Sequence, residues 1–233
     1  MSSPLADRVV VVTGGFGNLG WGVGREAAAR GARVALLDLA PEPPSGLEPP
    51  PGALLLGGVD ITDPAAARSA LEKVVATYGR LDVLLNIAGG FCWETFEEGD
   101  LESWDRMFRI NLKTAVTATK AALPHLLAQG GSVVCVSAGP ALKGDLGLGP
   151  YAAAKAGVAR FVESLAAELK DRGVRVNAVL PSIIDTPQNR QAMPDADFAR
   201  WVTPEQLARV ILFLASDEAD AVTGALVPVF NRV

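Results

Sequence analysis

Short β-branched runs alternate along this chain with longer stretches in which apolar residues recur at helical spacing. RVVVVT (8–13), ARVALLD (32–38), ALLLGGVD (53–60), GSVVCVS (131–137), VRVNAVLP (174–181) and ALVPVF (225–230) read as strands, and RLDVLLNIAGG (80–90) as a strand and turn. Such uniformly apolar strands belong in a sheet covered on both faces. Between them, 19–30, 64–78, 102–128 and 150–171 read as helices, and a last long helix begins after Thr203. Gly31 ends the first helix. Asp63 caps the second, with Pro64 at its first position. Thr203, Pro204 and Gln206 supply an N-cap, an N1 proline and a capping box for the last. The Pro-rich APEPPSGLEPPPG (40–52) is a stiff surface loop, because the strand pattern resumes at once; 182–202 reads as a polar loop over the substrate. The alternation has no repeat and no break in composition. It predicts one α/β domain over 1–233, a Rossmann-type doubly wound parallel sheet with helices on both faces. Ligands of such a sheet bind beyond the C-terminal strand ends.

Composition narrows the chemistry. The chain has 233 residues, 49% of them hydrophobic, a formal net charge of −5 and no basic cluster, which argues against nucleic acid as a partner. No apolar run is long enough to span a bilayer, and MSSPLADR lacks the apolar segment of a signal peptide, so the expected location is cytoplasmic. Cys92 and Cys135 have no metal-site spacing, and Cys135 reads as a small buried hydrophobe. His125 stands alone in a helical pattern, so no metal is expected.

The chemistry concentrates at strand ends. TGGFGNLG (13–20) joins the first strand to the first helix; its glycines allow a tight turn and close approach of a pyrophosphate to the helix N-terminus. Gly14, Phe16, Gly17, Asn18 and Leu19 are the expected cofactor contacts there. Asp38, after the second strand, can accept from adenosine ribose hydroxyls and would repel a 2′-phosphate, which favours NAD(H) over NADP(H). Asp60 and Ile61 end the third strand, where the carboxylate can meet the adenine amino group. Asn86, Ala88 and Gly89 end the fourth, where small residues leave room for the cofactor. Tyr151 and Lys155, spaced i, i+4, share a helix face. An ammonium beside the phenol, together with the positive nicotinamide, is expected to lower a pKa of about 10 towards the range useful for acid–base catalysis.

With these pieces in hand, residues 8–230 resemble the short-chain dehydrogenase/reductase family. The resemblance implies that Tyr151 is the acid/base, that Lys155 grips the nicotinamide ribose, and that Asn111 kinks a helix and supports a water relay. PSIIDT (181–186) resembles the family's Pro-Gly-x-Ile-x-Thr, which implies that Pro181, Ile184 and Thr186 hold the carboxamide end, with Ser182 in place of a glycine. It also implies pairing of the helices near 102–128 and 150–171 in a homodimer or homotetramer. Asn18 fills a position that is usually glycine. Ala138 stands where the family carries its catalytic serine; Ser137, one residue early on an extended segment, should face the opposite way. A GxxGxxG turn, the missing serine and the segment 180–201 resemble one branch, the quinonoid dihydropteridine reductases. The expected activity is hydride transfer between NAD(H) and a small carbonyl, alcohol or quinonoid substrate. The alternatives are pterin reduction specifically, or a non-catalytic NAD(H) sensor. Trp93, Met193, Phe198 and Trp201 are candidate apolar walls that packing alone would equally explain.

Overall fold

The computed structural model describes residues 4–233. Seven parallel strands form one sheet: β1 (Val9–Thr13), β2 (Arg33–Leu37), β3 (Leu54–Leu56), β4 (Val83–Asn86), β5 (Gly131–Val136), β6 (Val174–Pro181) and β7 (Leu226–Val229). Their order is β3-β2-β1-β4-β5-β6-β7. The order reverses between β1 and β4, and an open α/β sheet forms its ligand crevice at such a switch point.

The strands divide their side chains between two cores, as a period of two requires. Val9 and Val11 join one core with Leu84, Val133 and Val176, beneath α2 (Pro64–Tyr78), α4 (Thr114–Leu127) and α5 (Gly149–Leu169). Val10 and Val12 join the other with Leu85, Val134 and Val179, beneath α1 (Asn18–Ala29) and α7 (Pro204–Ala215). This is the doubly wound domain that the alternation predicts. Two caps form as read: Asp63 accepts from the Ala65 N–H with Pro64 at N1, and Thr203 and Gln206 make a complete capping box.

The structure corrects two boundaries. The pattern over 102–128 is not one helix but α3 (Leu101–Met107), a π-helical turn (Phe108–Lys113) and α4. The wider turn is held by Asn111, whose Nδ2 donates to the Met107 carbonyl at 3.1 Å. Nor is 182–202 wholly irregular. It contains α6 (Pro187–Ala192), capped by the Thr186 hydroxyl, and a short 3-10 turn over Phe198–Arg200. An isolated parallel bridge between Ile184 and Val202 closes this segment on itself. Among the described residues no helix is long and apolar enough to cross a membrane, and no cluster of His, Cys, Asp and Glu could hold a metal ion.

Candidate active site

The Gly-rich turn is built for close backbone approach. Gly14 has φ +66°, and a Cβ there would lie 2.8 Å from the Ala88 Cα, so the turns after β1 and β4 touch. A Cβ on Gly20 would collide with the Gly14 carbonyl. Gly17 is the N-cap of α1 and brings no side-chain hydrogen bond, and the first turn has no acid. A bare helix N-terminus in a glycine cradle suits an anion, so these residues fit a dinucleotide's pyrophosphate. Phe16 and Leu19 are buried in the second core, so their contribution to the crevice is backbone. Asn18 is exposed, and its amide reaches Gln188 on α6 at 2.9 Å.

Asp38 is half-buried at the end of β2, and its two oxygens accept from the Phe16 and Ala40 N–H groups, each at 2.9 Å. The carboxylate is thereby fixed against the Gly-rich turn. Asp60 accepts from the Thr62 hydroxyl and N–H, which hold its carboxyl below the usual range. Ile61 is buried behind it. The Asn86 side chain points into the core, which leaves its backbone for the expected cofactor contact. Its buried amide donates to the Thr119 hydroxyl at 2.9 Å and to Cys135 Sγ at 3.5 Å, inside the sheet's α4 face. The cause is strand alternation, because the last residue of β4 points into the core.

Asn111 clamps the turn after β4. Its Nδ2 donates to the Gly90 carbonyl and its Oδ1 accepts the Gly90 N–H, both at 3.1 Å. A side chain at Gly89 would displace the Asn111 amide, because a Cβ would lie 2.5 Å from Asn111 Oδ1 and 3.4 Å from Lys155 Nζ. Lys155 is buried and donates to the Val136 carbonyl at 2.9 Å. Burial lowers its pKa to about 8. Asn111, Gly89 and Lys155 thus meet at the mouth of the crevice.

Tyr151 lies beside them, with Lys155 Nζ 5.8 Å from its ring centroid. Phe91 packs edge-on against the tyrosine, centroids 5.0 Å apart. Burial pushes the phenol up to about 12, whereas the expected lowering invokes the ammonium together with the positive nicotinamide. Desolvation of the buried ring is the cause of that rise, and Lys155 aims its own bond at Val136.

The opening left by Ala138 is real. Ser137 is buried, and its hydroxyl donates to the Lys155 carbonyl at 2.8 Å, so it faces α5 as a one-residue shift requires. Ala138 is buried and brings no hydroxyl. Ser182, at the other unusual position, donates to the Phe230 carbonyl at 2.8 Å. The Phe230 ring then lies against Gly139, 3.2 Å from where a Cβ would stand. Phe230 and Gln188 had no local signal in the sequence; each acquires its place through a partner distant along the chain.

Of the candidate walls, Trp93 is 56% exposed and lies over Gly147, and Met193 is exposed; Phe91, beside Tyr151, is exposed too. Trp201 is buried and packs on Phe198 at 4.8 Å, so this pair is structural. Pro181 is buried at the end of β6, while Ile184 and Thr186 stand between it and α6.

Fold and site together define a dinucleotide-binding α/β enzyme domain with a tyrosine–lysine pair at its switch point. Residues 16–229 match the family model described as enoyl-(acyl carrier protein) reductase. The chain is 35% identical to a 3-oxoacyl-(acyl-carrier-protein) reductase of Thermotoga maritima, over 96% of each protein. It is 34% identical to a meso-2,3-butanediol dehydrogenase of Serratia marcescens, over 96% of this chain and 93% of that one. A carveol dehydrogenase from Mycobacterium avium, solved in complex with NAD, superposes with a TM-score of 0.85 at 28% identity, covering 97% of both chains. The chain belongs to the short-chain dehydrogenase/reductase family, whose members are oxidoreductases.

Proposed function

We propose that this protein transfers hydride between NAD(H) and a small carbonyl, alcohol or quinonoid compound, with Tyr151 as the acid/base. The observation that carries this reading is the meeting of Tyr151, Lys155 and the Asn111-clamped Gly90 turn at the crevice mouth. Gly14, Gly17, Asn18 and the backbone of Phe16 and Leu19 would hold the pyrophosphate; Ala88 and Gly89 would line its path, and Pro181, Ile184 and Thr186 would hold the carboxamide end. Asp38 favours NAD(H) over NADP(H), because a fixed carboxylate repels a 2′-phosphate. When bound, the nicotinamide supplies or accepts the hydride.

The protein's own part is protonic. In reduction, the Tyr151 O–H donates its proton to the substrate atom that takes up negative charge. The phenolate that remains would be stabilised by Lys155 and reprotonated from solvent through the water relay that the family resemblance assigns to Asn111. Exposed Phe108 and Val116, on the π turn and α4, support self-association through that face.

A narrower acceptor is favoured by Ala138. Reducing a simple ketone builds an alkoxide, and losing one positioned donor typically costs about 2.7–4 kcal/mol of transition-state stabilisation. A quinonoid ring spreads the charge by conjugation and depends less on a hydroxyl. A quinonoid dihydropterin fits this requirement and the resemblance of 180–201. The test is NADH oxidation with a quinonoid dihydropterin beside a panel of ketones, with Tyr151→Phe as control. Turnover of the pterin lost in the variant supports the reading. Ketone turnover alone removes the pterin, and NADH binding without any turnover leaves only a sensor.

A further inference from the structure

The N-terminus of α1 and the start of α6 form two walls of the crevice, and one side-chain bond joins them. Asn18 Nδ2 donates to Gln188 Oε1 at 2.9 Å across a sequence separation of 170 residues. Each wall also has bonds of its own. The Gly17 N–H donates to the Gly14 carbonyl at 3.2 Å, and Gly20 leaves no space between helix and turn. On the other side, Thr186 Oγ1 accepts the Asn189 N–H, Asn189 Nδ2 donates to the Ile184 carbonyl at 2.8 Å, and Arg190 makes two bonds to Asp185 at 2.6 and 2.7 Å. Both bonded side chains are exposed, so the bond sits on the outer lip and not in the core.

We infer that Asn18 and Gln188 form a latch that closes the crevice over the phosphates of the bound dinucleotide and slows its release. This rests on the nucleotide reading above. A ligand seated at the N-terminus of α1 and extending to Ile184 and Thr186 lies between the two joined walls. Its departure past this lip requires the bond to open. A glycine at position 18 has no side chain that could reach across, so the latch belongs to this chain's own substitution and its own Gln188. Asn18 and Gln188 are positioning residues that act on the mobility of α6.

The test combines hydrogen exchange of the nucleotide-free protein with stopped-flow release of NADH. In Asn18→Ala and in Gln188→Leu, the α6 amides of Arg190 and Met193 should exchange roughly three- to tenfold faster, the scale of one neutral hydrogen bond. NADH release should accelerate by a similar factor, and the double variant should equal either single variant rather than their product. Gln188→Glu keeps the acceptor and should keep the slow exchange. Unchanged exchange and release, or effects that multiply, would overturn the latch while leaving the cofactor assignment intact. A wild-type protein that does not bind NADH overturns the cofactor reading and the latch's cargo together.

Discussion

Replacing Lys155 by methionine should change the pH dependence of folding in a calculable way. The lysine is buried, and its folded pKa is lowered from 10.5 to about 8 by desolvation. The shift corresponds to about 3 kcal/mol at 1.36 kcal/mol per unit. Below about pH 8 the lysine is protonated in both states, so the folded protein carries the whole cost of the buried charge. From about 8 to 10.5 the folded lysine is neutral while the unfolded one keeps its proton. The unfolded state then binds more protons, so wild-type stability rises with pH. Above 10.5 the two states agree and the cost has gone. Methionine has no such dependence. The Val136 carbonyl loses its donor in the variant, which adds an offset that does not vary with pH. The stability difference between the two nucleotide-free proteins should therefore shift by about 3 kcal/mol in favour of wild type between pH 7 and pH 10.5. For a chain of this size that is about 6–12 °C in relative Tm. Urea or thermal unfolding of both proteins at the two pH values measures it. Shared effects of alkaline pH cancel in the comparison. A difference that stays constant within about 1 kcal/mol would refute the buried, depressed lysine.

Two further outcomes follow from the geometry. Asn111→Ala strips the Gly90 N–H, the Gly90 carbonyl and the Met107 carbonyl of one partner. It should cost about 2–4 kcal/mol in urea unfolding, with Asn111→Asp intermediate because it still accepts from Gly90. Asp38→Asn removes a charge that lies against the Gly-rich turn while retaining an acceptor for one of its two backbone donors. The ratio of kcat/KM for NADH over NADPH should fall roughly tenfold, about 1.4 kcal/mol, and an unchanged ratio would show that Asp38 does not select the cofactor.

What could be read from the sequence was what local periodicity fixes. The strand–turn–helix of residues 9–29 and the i, i+4 placement of Tyr151 and Lys155 follow from chain geometry alone. So does the inward turn of Ser137, a matter of strand parity. Periodicity hid the π turn, because FRINLK continues an ordinary helical pattern; only the family resemblance implied a kink at Asn111, whose amide bonds Gly90 and Met107 there. The strand-end position of Asn86 was legible, and the inward facing of its side chain was not. The burial that raises the Tyr151 pKa in the nucleotide-free protein was not legible either, since it depends on the assembled fold around the ring. Gln188 takes its meaning from a residue at the other end of the chain, a contact that only the assembled crevice creates.

The end of β5 and the first turns of α5 exchange bonds through a single residue. Ser137 donates to the Lys155 carbonyl, and the Lys155 ammonium donates back to the Val136 carbonyl. The pair closes a small loop of contacts that fixes the lysine before any ligand arrives. The hydroxyl nearest to the missing serine is therefore committed to holding Lys155 and is buried with it. Moving Ser137 towards a substrate would break one of the two bonds and leave the Lys155 carbonyl without its side-chain donor, at about 1–3 kcal/mol. Under the proposed reaction, Tyr151 then acts without a second side-chain hydroxyl from this strand end. An acceptor that already disperses negative charge suits such a site better than one that needs two donors. The same reasoning makes Ala138→Ser the direct comparison: if ketone reduction rises in that variant while Ser137 keeps its bond to α5, the absent hydroxyl is what limits ketone reduction.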